Sequence, residues 1–407
     1  MFEYGLLGRK VGYSFSPQIH KMIGGYDYGL IEKEPEELDA FFAEGNFKGI
    51  NVTIPYKKTV IPYCTTLSKQ AAEIGSVNTI RRMPDGTYYG DNTDYYGFVY
   101  AIKQSGADLT GKKCVVFGDG GAAPTVRTAL RDMGAGEIVT VSRRGENNFS
   151  NLNRHYDAQI LVNATPVGTY PDTGVAVTSL APFTKLEAAF DLVYNPALTE
   201  FLRQAKELGA ITVNGLWMLV AQAKRAVEIF LDTELSDDVI APVRKKIAAR
   251  NMNIALVGMA GSGKTTTGKA LAERLGREFV DIDELINTFG CRPIPEIIEF
   301  EGEEVFRAIE TYTLSEMAKR SGLVIATGGG VVTRPENLPI LRQNSVTVLL
   351  HRPVEDLPSD GRPLSQKYGV KALYEKRKPL YEQFGEYTVE CTGVEETVDK
   401  IVEVLGL

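Results

Sequence analysis

The residues whose types could do chemistry fall into two sets, one before residue 250 and one after it. In the first, GYSFSPQIH carries hydroxyls at Ser14 and Ser16, two apart, so an extended backbone would point both to one side. GINVTIPYK offers Asn51, Thr53 and Lys57, and IGSVNTI offers Asn78 and Thr79. GDNTDYYGF offers Asn92 and Asp94, and NGLWMLVAQA supplies Gln222. Many neutral hydrogen-bonding side chains with one lysine and one aspartate suit a small polyhydroxylated acid. Taken singly, each has a plainer reading: Asn and Asp form turns, and most lysines are simply exposed.

The second set is anchored by GMAGSGKT at 258–265, a full GxxxxGK[ST] between the apolar IALV and the helical TTGKALAERL. Backbone N–H groups of such a loop cradle phosphate, here through Gly261, Ser262, Gly263 and on to Thr266. Lys264 reaches the β/γ oxygens and the Thr265 hydroxyl holds Mg²⁺, so ATP and Mg²⁺ are implied. FVDIDELI puts Asp281 and Asp283 at the end of a strand, two apart and on one face. FRAIE puts Arg307 and Glu310 three apart on one helical face, where the Glu can orient the Arg. ATGGGVV gives Gly328, Gly329 and Gly330 after another strand, and GRPL and EKRKPLYE add Arg362 and Arg377. Two arginines fit a substrate carboxylate, an acid fits its hydroxyls, and a third arginine fits a transferring phosphate. For any one arginine a surface ion pair is the competing reading.

A second glycine turn precedes these. In CVVFGDGGAA, Gly118, Gly120 and Ala123 satisfy GxGxxA, with Gly121 and Ala122 between them. Glycine is needed where a backbone turns tightly and approaches a pyrophosphate at a helix N-terminus, although structural βα turns share the pattern. After the next strand, VTVSRR, an NAD-binding protein would place an acid on the ribose. Ser142, Arg143 and Arg144 stand there instead, and arginines can pair bidentately with a 2′-phosphate. NADP is favoured over NAD, against the alternative of a solvated basic pair. Pro124 is tolerated in a first helical turn, but it could remove a cofactor contact.

Both glycine turns follow a short apolar strand and open a helix, as in the first βα unit of a parallel, doubly wound sheet. GLLG, FKGINVTIP and the helical ELDAFFAEG precede the first turn, and VTVSRR, QILVNATPVG and AAFDLVY follow it as further strands. WMLVAQAKRAVEIFL reads as a long amphipathic helix, and ELSDDVIAPVRKKIAARN as a second helical piece. Met252 sits directly before the next strand, where a separate gene would begin, so two once-independent proteins are expected to be joined by almost no linker. A length of 407 residues suggests two to three domains, and 43% hydrophobic with 24% charged residues is ordinary globular composition. Basic and acidic residues number 27 and 28 up to residue 250, and 18 and 24 beyond it. Neither part has the charge of a nucleic-acid binder. The opening MFEYGLLGRKVGYSFSP is too polar for a signal peptide, and no apolar run is long enough for a membrane helix. Cys64, Cys114, Cys291 and Cys391 form no CxxC, and three histidines give no zinc spacing. A cytoplasmic enzyme of small-molecule substrates is expected, with no nucleic acid or membrane partner; no oligomeric state is read from the chain.

YSFSP, NVTIPYK, GSVNT, DNTD, the GDGGAA turn, NATPVG, DLVYNP and GLWMLVAQA follow one another from about residue 4 to about residue 245. Together they resemble shikimate dehydrogenase. The resemblance implies Lys57 and Asp94 as the catalytic pair, passing a proton to or from the reacting oxygen while hydride moves to or from a nicotinamide. It implies Ser14, Ser16, Thr53, Asn78, Asn92 and Gln222 on the carboxylate and hydroxyls of shikimate, with Tyr194 nearby. NADP(H) contacts are implied at Gly118, Gly120, Gly121, Ala122, Ser142, Arg143, Arg144, Thr165 and Gly215. Family members often carry Arg or another residue where this chain has Pro124.

The strings across roughly 253–405 resemble shikimate kinase. That implies Asp283 on the shikimate hydroxyls, Arg307 and Arg377 on its carboxylate, and Gly329 or Gly330 packing beside it. Asp281 would act near Mg²⁺ with Thr265, Lys264 on the phosphates, and Arg362 would close over them from a lid. Only PVEDLPSD separates Arg352 from GRPL, whereas members usually have a longer segment with an Arg that packs on adenine. The adenine contact is therefore unassigned.

The expected architecture is α/β throughout. An α/β substrate domain (1–100, completed by helices at 215–250) and a Rossmann NADP-binding domain (101–214) precede a P-loop domain of the nucleoside-monophosphate-kinase type (251–407). The two resemblances share a metabolite: 3-dehydroshikimate would be reduced to shikimate with NADPH, then phosphorylated to 3-phosphoshikimate with ATP. One competing reading is a quinate/shikimate dehydrogenase linked to NAD and joined to another small-molecule kinase. Another is a metabolite-sensing regulator on the same folds, against which stand Lys57, Asp94, Lys264 and Asp283, all present.

Overall fold

Runs of two to seven residues, mostly apolar and punctuated by glycine and polar turns, form sixteen strands among the described residues. The computed structural model describes residues 2–12, 14–290, 292–358, 366 and 368–407. It divides into two compact units, Met1–Tyr194 with Thr199–Ala248, and Asn195–Leu198 with Ala249–Leu407.

The first unit holds two sheets. Strands β1 (Tyr4–Gly8), β2 (Tyr28–Glu32), β3 (Gly49–Val52), β4 (Thr66–Leu67), β5 (Thr79–Arg82) and β6 (Tyr88–Asp91) lie in the order β2-β1-β3-β5-β6-β4. Pairing is parallel around β1 and antiparallel where β3 meets β5 and β5 meets β6. Its helices are α1 (Ser16–Gly24), α2 (Leu38–Glu44), α3 (Lys69–Ile74) and α4 (Thr93–Ser105). The second sheet is wholly parallel: β7 (Lys113–Phe117), β8 (Glu137–Val141), β9 (Ile160–Asn163), β10 (Ala188–Asp191) and β11 (Ile211–Val213) in the order β11-β10-β9-β7-β8. Helices α5 (Ala123–Asp132) and α6 (Glu200–Glu207) supply crossovers, and β9 and β10 are buried at every position, as strands covered on both faces must be.

Helix α7 (Leu216–Leu231) departs from the amphipathic expectation. It is buried nearly all round, including Lys224 and Glu228, whose side chains pair at 2.6 Å and are each 6% exposed. A helix apolar on nearly every side belongs in a core, and its buried charge pair is completed by Arg225 on the same helix and by Asp237 and the Leu235 N–H beyond it. Helix α4 lies so close to α7 that a Cβ on Gly97 would come within 2.5 Å of Met218 O. Glycine there lets the backbones approach, so that the start of α4 lies beside the middle of α7, where Thr93 meets Gln222. Helix α8 (Ile240–Asn251) follows.

The second unit has one parallel sheet, β13-β14-β12-β15-β16, built from β12 (Asn253–Val257), β13 (Phe279–Asp281), β14 (Val324–Ala326), β15 (Ser345–His351) and β16 (Tyr387–Glu390). Helices α9 (Lys264–Leu275), α10 (Ile282–Phe289), α11 (Ile294–Phe300), α12 (Glu303–Ala318), α13 (Asn337–Arg342), α14 (Val370–Phe384) and α15 (Val394–Leu405) cover both faces. Val257, Ile325, Leu349, Phe306 and Phe384 pack on one face, and Leu256, Leu271, Val348, Val398 and Ile401 on the other. The carboxyl ends of β12, β13 and β14 carry the residues singled out above, as expected of an open α/β sheet.

Candidate active sites

In the first unit, Lys57 and Asp94 come together from a turn after β3 and the first turn of α4. Lys57 Nζ donates to Asp94 Oδ2 at 2.5 Å, with the side chains 17% and 11% exposed. The pair is shielded enough to be strong and open enough to be reached. Ser14 and Ser16 also meet, but not on extended backbone. Phe15 is helical at φ −79°, ψ −6°, and Ser16 begins α1. The Ser14 hydroxyl accepts from Ser16 N–H at 3.1 Å and donates to Ser16 Oγ at 3.0 Å, so a helix-opening turn unites the two hydroxyls.

Asn78 is buried, and its Oδ1 accepts from the Thr93 backbone at 2.7 Å. Gln222, on α7, donates to Leu219 O at 2.9 Å. Asn92 caps α4: its Oδ1 accepts from Tyr95 N–H at 3.2 Å, while Nδ2 donates to Ser76 O at 2.9 Å and Thr125 Oγ1 at 3.3 Å. That leaves a single carbonyl lone pair for a substrate. Thr53, just past β3, gives its N–H to Leu7 O at 2.9 Å. Tyr194 is half-buried against Phe15, ring centres 5.1 Å apart, and burial raises its phenol pKa.

The GxGxxA turn leads from β7 into α5. Gly118 has φ +102°, and a Cβ there would press on Thr165 Cγ2 at 2.8 Å, so only glycine suits the position. A Cβ on Gly120 or Gly121 would meet nothing within 4 Å, so backbone faces open space beside the start of α5, where Ala122 is the cap and Pro124 sits in the first turn. Arg143 and Arg144 are exposed, with no hydrogen-bond or ion-pair partner among the described residues. Ser142, beside them, is buried. An open turn and two unpaired guanidiniums fit a dinucleotide phosphate and a 2′-phosphate. Thr165 donates to Asn163 Oδ1 at 2.6 Å. Asn163 Nδ2 donates to Asp191, whose carboxyl burial pushes up to about 7. Gly215 caps α7, and a Cβ there would sit 2.1 Å from Leu192 O.

In the second unit the loop before α9 holds Gly258, Gly261 and Gly263 at φ +148°, +89° and +98°. Lys264 Nζ donates to Gly258 O and Met259 O, both at 2.8 Å, which braces it across the loop. Ser262 Oγ is buried without a partner, and Thr265 and Thr266 are exposed at the helix start. The Thr265 hydroxyl donates to Asp281 Oδ2 at 2.6 Å, so the residues expected at Mg²⁺ are adjacent. Positive-φ glycines, an orphaned hydroxyl and this Thr–Asp pair fit a triphosphate with its metal.

Asp281 ends β13, but Asp283 is not on the strand. It lies in the first turn of α10, which Asp281 caps by accepting from Asp283 N–H at 3.0 Å and Glu284 N–H at 3.2 Å. The N-capping preference of Asp overrode the strand periodicity. Asp283 Oδ1 is buried without a partner; burial, then the nearby Glu310 carboxylate, raises its pKa to about 6. Arg307 donates to Glu310 Oε2 at 2.6 Å and to Glu303 Oε1 at 3.2 Å. Arg377, on α14, donates to Gly329 O at 3.1 Å, beside the Tyr381 hydroxyl, which reaches the same oxygen. The three glycines each face a different wall. A Cβ would meet Glu310 Oε1 at 2.0 Å from Gly328, Ala260 N at 2.7 Å from Gly329, and Arg307 Nη2 at 2.1 Å from Gly330. Arg362 lies outside the described residues.

Thr93, Tyr28 and Tyr381 were missed by sequence reasoning. Thr93 stands inside DNTD, between two residues that were singled out, and that position was its only signal.

The family model of the shikimate dehydrogenase substrate binding domain matches residues 6–80, and that of shikimate kinase matches residues 260–406. The shikimate dehydrogenase (NADP(+)) of Clostridium perfringens (strain SM101 / Type A) is 38% identical over 249 residues, 56% of this chain and 91% of that protein. A chorismate mutase/shikimate 5-dehydrogenase fusion protein from Clostridium acetobutylicum superposes with a TM-score of 0.57 at 34% identity, over 60% of this chain and 96% of that one. Shikimate 5-dehydrogenase from Thermus thermophilus, solved in complex with NADP(H) and shikimate, gives 0.55 at 31% identity, over 60% of this chain and 99% of that one. With relatives matched over nearly their whole length, the chain belongs to the shikimate dehydrogenase family through its first unit, and it carries a shikimate kinase domain in its second.

Proposed function

We propose that the first unit reduces 3-dehydroshikimate to shikimate with NADPH and that the second phosphorylates shikimate to 3-phosphoshikimate with ATP and Mg²⁺. The observation that carries this reading is a conjunction. One chain joins a relative of NADP(+) shikimate dehydrogenases to a phosphate loop faced by two buried arginines and an orphaned acid, a set suited to a hydroxylated carboxylic acid. The division into domains at 1–100 with 215–250, 101–214 and 251–407 is part of the same proposal. So is a cytoplasmic setting, which the free thiols of Cys64, Cys114 and Cys391 favour.

In the first site, Ser14, Ser16, Thr53, Asn78, Asn92, Gln222 and Tyr194 hold the acid's carboxylate and hydroxyls. Lys57 and Asp94 manage the proton at the reacting oxygen, their 2.5 Å contact letting one hold charge for the other. Bound NADPH, held along the glycine turn, Ala122, Ser142, Thr165 and Gly215, supplies the hydride, and Arg143 and Arg144 select its 2′-phosphate. In the second site, Arg307 and Arg377 clamp the carboxylate, and Asp283 Oδ1 accepts the hydroxyl. Gly329 and Gly330 leave room for the ring beside them. Bound ATP with Mg²⁺ would supply the phosphoryl group; Gly261 to Thr266 and Lys264 would hold its phosphates, and Thr265 and Asp281 would hold the metal, while the sequence-based role of Arg362 falls outside the described residues. Asp283 Oδ1, buried without a protein partner, is free to take the hydroxyl proton.

A coupled assay with 3-dehydroshikimate, NADPH, ATP and Mg²⁺ tests the reading by following NADPH loss and phosphoshikimate together. Turnover of quinate with NAD in preference would favour the quinate alternative. NADPH consumption without phosphoshikimate would overturn the kinase half.

A further inference from the structure

We propose that Thr93 sets which end of the Asn78 and Gln222 amides faces the substrate, so that both present N–H donors. The inference rests on the reading of the first unit as a shikimate dehydrogenase. An amide side chain has an acceptor at one corner and a donor at the other, nearly identical in shape, so its partners decide its orientation.

Thr93 opens α4 and is 1% exposed. Its backbone N–H donates to Asn78 Oδ1 at 2.7 Å, and a backbone donor cannot become an acceptor. Asn78 is therefore held with its oxygen inward. Its Nδ2 donates to no protein acceptor among the described residues and is not sealed from solvent. The Thr93 hydroxyl lies 3.1 Å from Asn78 Oδ1, 3.2 Å from Gln222 Oε1 and 3.0 Å from Thr79 Oγ1. It has only one hydrogen to give. Thr79 resolves the choice: its hydroxyl accepts from Asn51 Nδ2 at 2.9 Å, so its own hydrogen is free to go to Thr93 Oγ1. Asn51 is itself fixed, its Oδ1 accepting from the Tyr28 hydroxyl at 2.7 Å. With Thr79 donating to Thr93, and Asn78 Oδ1 already taken by the Thr93 N–H, the Thr93 hydrogen goes to Gln222 Oε1 and each hydroxyl hydrogen in the relay is used once.

Gln222 stands oxygen-inward as well, held from two sides: Thr93 gives its hydrogen to Oε1, and Leu219 O, a backbone acceptor, takes one Nε2 hydrogen at 2.9 Å, leaving the other free. The relay runs from Tyr28 on β2 through Asn51, Thr79 and Thr93 to Gln222 on α7. Its consequence is chemical: substrate atoms opposite both amides must be acceptors, such as carboxylate or hydroxyl oxygens. Thr93 is a positioning residue, acting through the amides.

The test uses the full chain. Thr93→Val keeps shape and backbone N–H but removes the hydroxyl, and Thr93→Ser restores it. Thr93→Val should raise KM for shikimate about tenfold or more, the usual effect of leaving a buried polar group unpaired. KM for NADP⁺ and kinase turnover should stay as in the parent, and Thr93→Ser should recover most of the loss. Gln222→Glu, which exchanges the donor for an acceptor, should raise KM for shikimate further and serves if the valine variant does not fold. An unchanged KM in Thr93→Val, no recovery in Thr93→Ser, an equal rise in KM for NADP⁺, or retained affinity in Gln222→Glu would each overturn the inference alone. No NADP⁺-dependent oxidation of shikimate by the parent chain would overturn the functional reading with it.

Discussion

Gly330→Ala should disable the kinase site through shikimate and leave everything else in the chain at work. Gly330 has φ −104°, ordinary for alanine, so the backbone itself offers no resistance. The added methyl would stand 2.1 to 2.3 Å from the Arg307 guanidinium atoms. Ordinary contact needs about 3.5 Å, so the guanidinium must withdraw by more than about 1 Å. It has little freedom to do so, being tied to Glu310 at 2.6 Å and Glu303 at 3.2 Å with a side chain 6% exposed. Either the ion pair breaks or the methyl fills the space where the carboxylate would meet the guanidinium. A hydrogen bond to a charged group contributes about 1.5–3 kcal/mol, which is about 10- to 150-fold in KM for shikimate. KM for ATP should hold, because the loop from Gly258 to Lys264 does not touch the substituted position. Steady-state kinase rates at varied shikimate and fixed saturating ATP read the effect, and dehydrogenase turnover of the same preparation serves as the internal control. An unchanged KM for shikimate, or a loss shared equally by ATP, would show that Arg307 is not the carboxylate's partner.

Lys57→Ala should lower dehydrogenase kcat by about 10²–10⁴-fold, the range for a proton-transfer group, with kinase turnover unaffected; an unaltered kcat would make Lys57 an ordinary lysine. Replacing Arg143 and Arg144 together with Ala should weaken NADPH by at least about tenfold while NADH changes little, since only the 2′-phosphate loses charge-assisted hydrogen bonds; equal loss of both cofactors would remove the basis for NADP selection. Asp191 makes the first unit pH-sensitive: its folded-state pKa is raised from 3.8 to about 7 by burial, so the native state holds the extra proton between those values. Asp191's own contribution should therefore fall as pH rises through that window, by up to about 4 kcal/mol in all, while buried His20, its pKa lowered from 6.5 to about 3, contributes in the opposite sense; Asp191→Asn should make the first unit's unfolding midpoint rise more steeply with pH than in the parent. An Asp191→Asn profile with the parent's slope between pH 5 and 7 would refute the raised pKa.

Motifs whose meaning lies in local backbone were legible in the chain. The loop at 258–265 needs glycines where φ is positive, and Arg307 with Glu310 needs only helical spacing; both appear as read. The residues at Ser14–Ser16 and Asp281–Asp283 were correctly paired but placed on strands, because a spacing of two was taken for a pleat. In both places a helix starts instead, and a Ser or Asp side chain that accepts from the following N–H groups brings the pair together equally well. Burial of α7 was not legible either. Its sequence reads as an amphipathic helix, and the groups that let Lys224 and Glu228 enter the core (each other, Arg225, Asp237 and the Leu235 N–H) come partly from beyond the helix.

The orientation of the two substrate-facing amides lies beyond any local pattern. It depends on Tyr28, Asn51, Thr79 and Thr93, drawn from β2, β3, β5 and α4, and on a helix more than a hundred residues further on. Each of those residues, taken alone, is a strand or turn residue with no chemistry of its own. What makes them a unit is that each hydroxyl has one hydrogen, so fixing one bond fixes the next. The kinase site reads more easily because it works with full charges, whose partners announce themselves by type. The dehydrogenase site works mostly with neutral groups, where the direction of a hydrogen bond, rather than the identity of a residue, decides what is recognised.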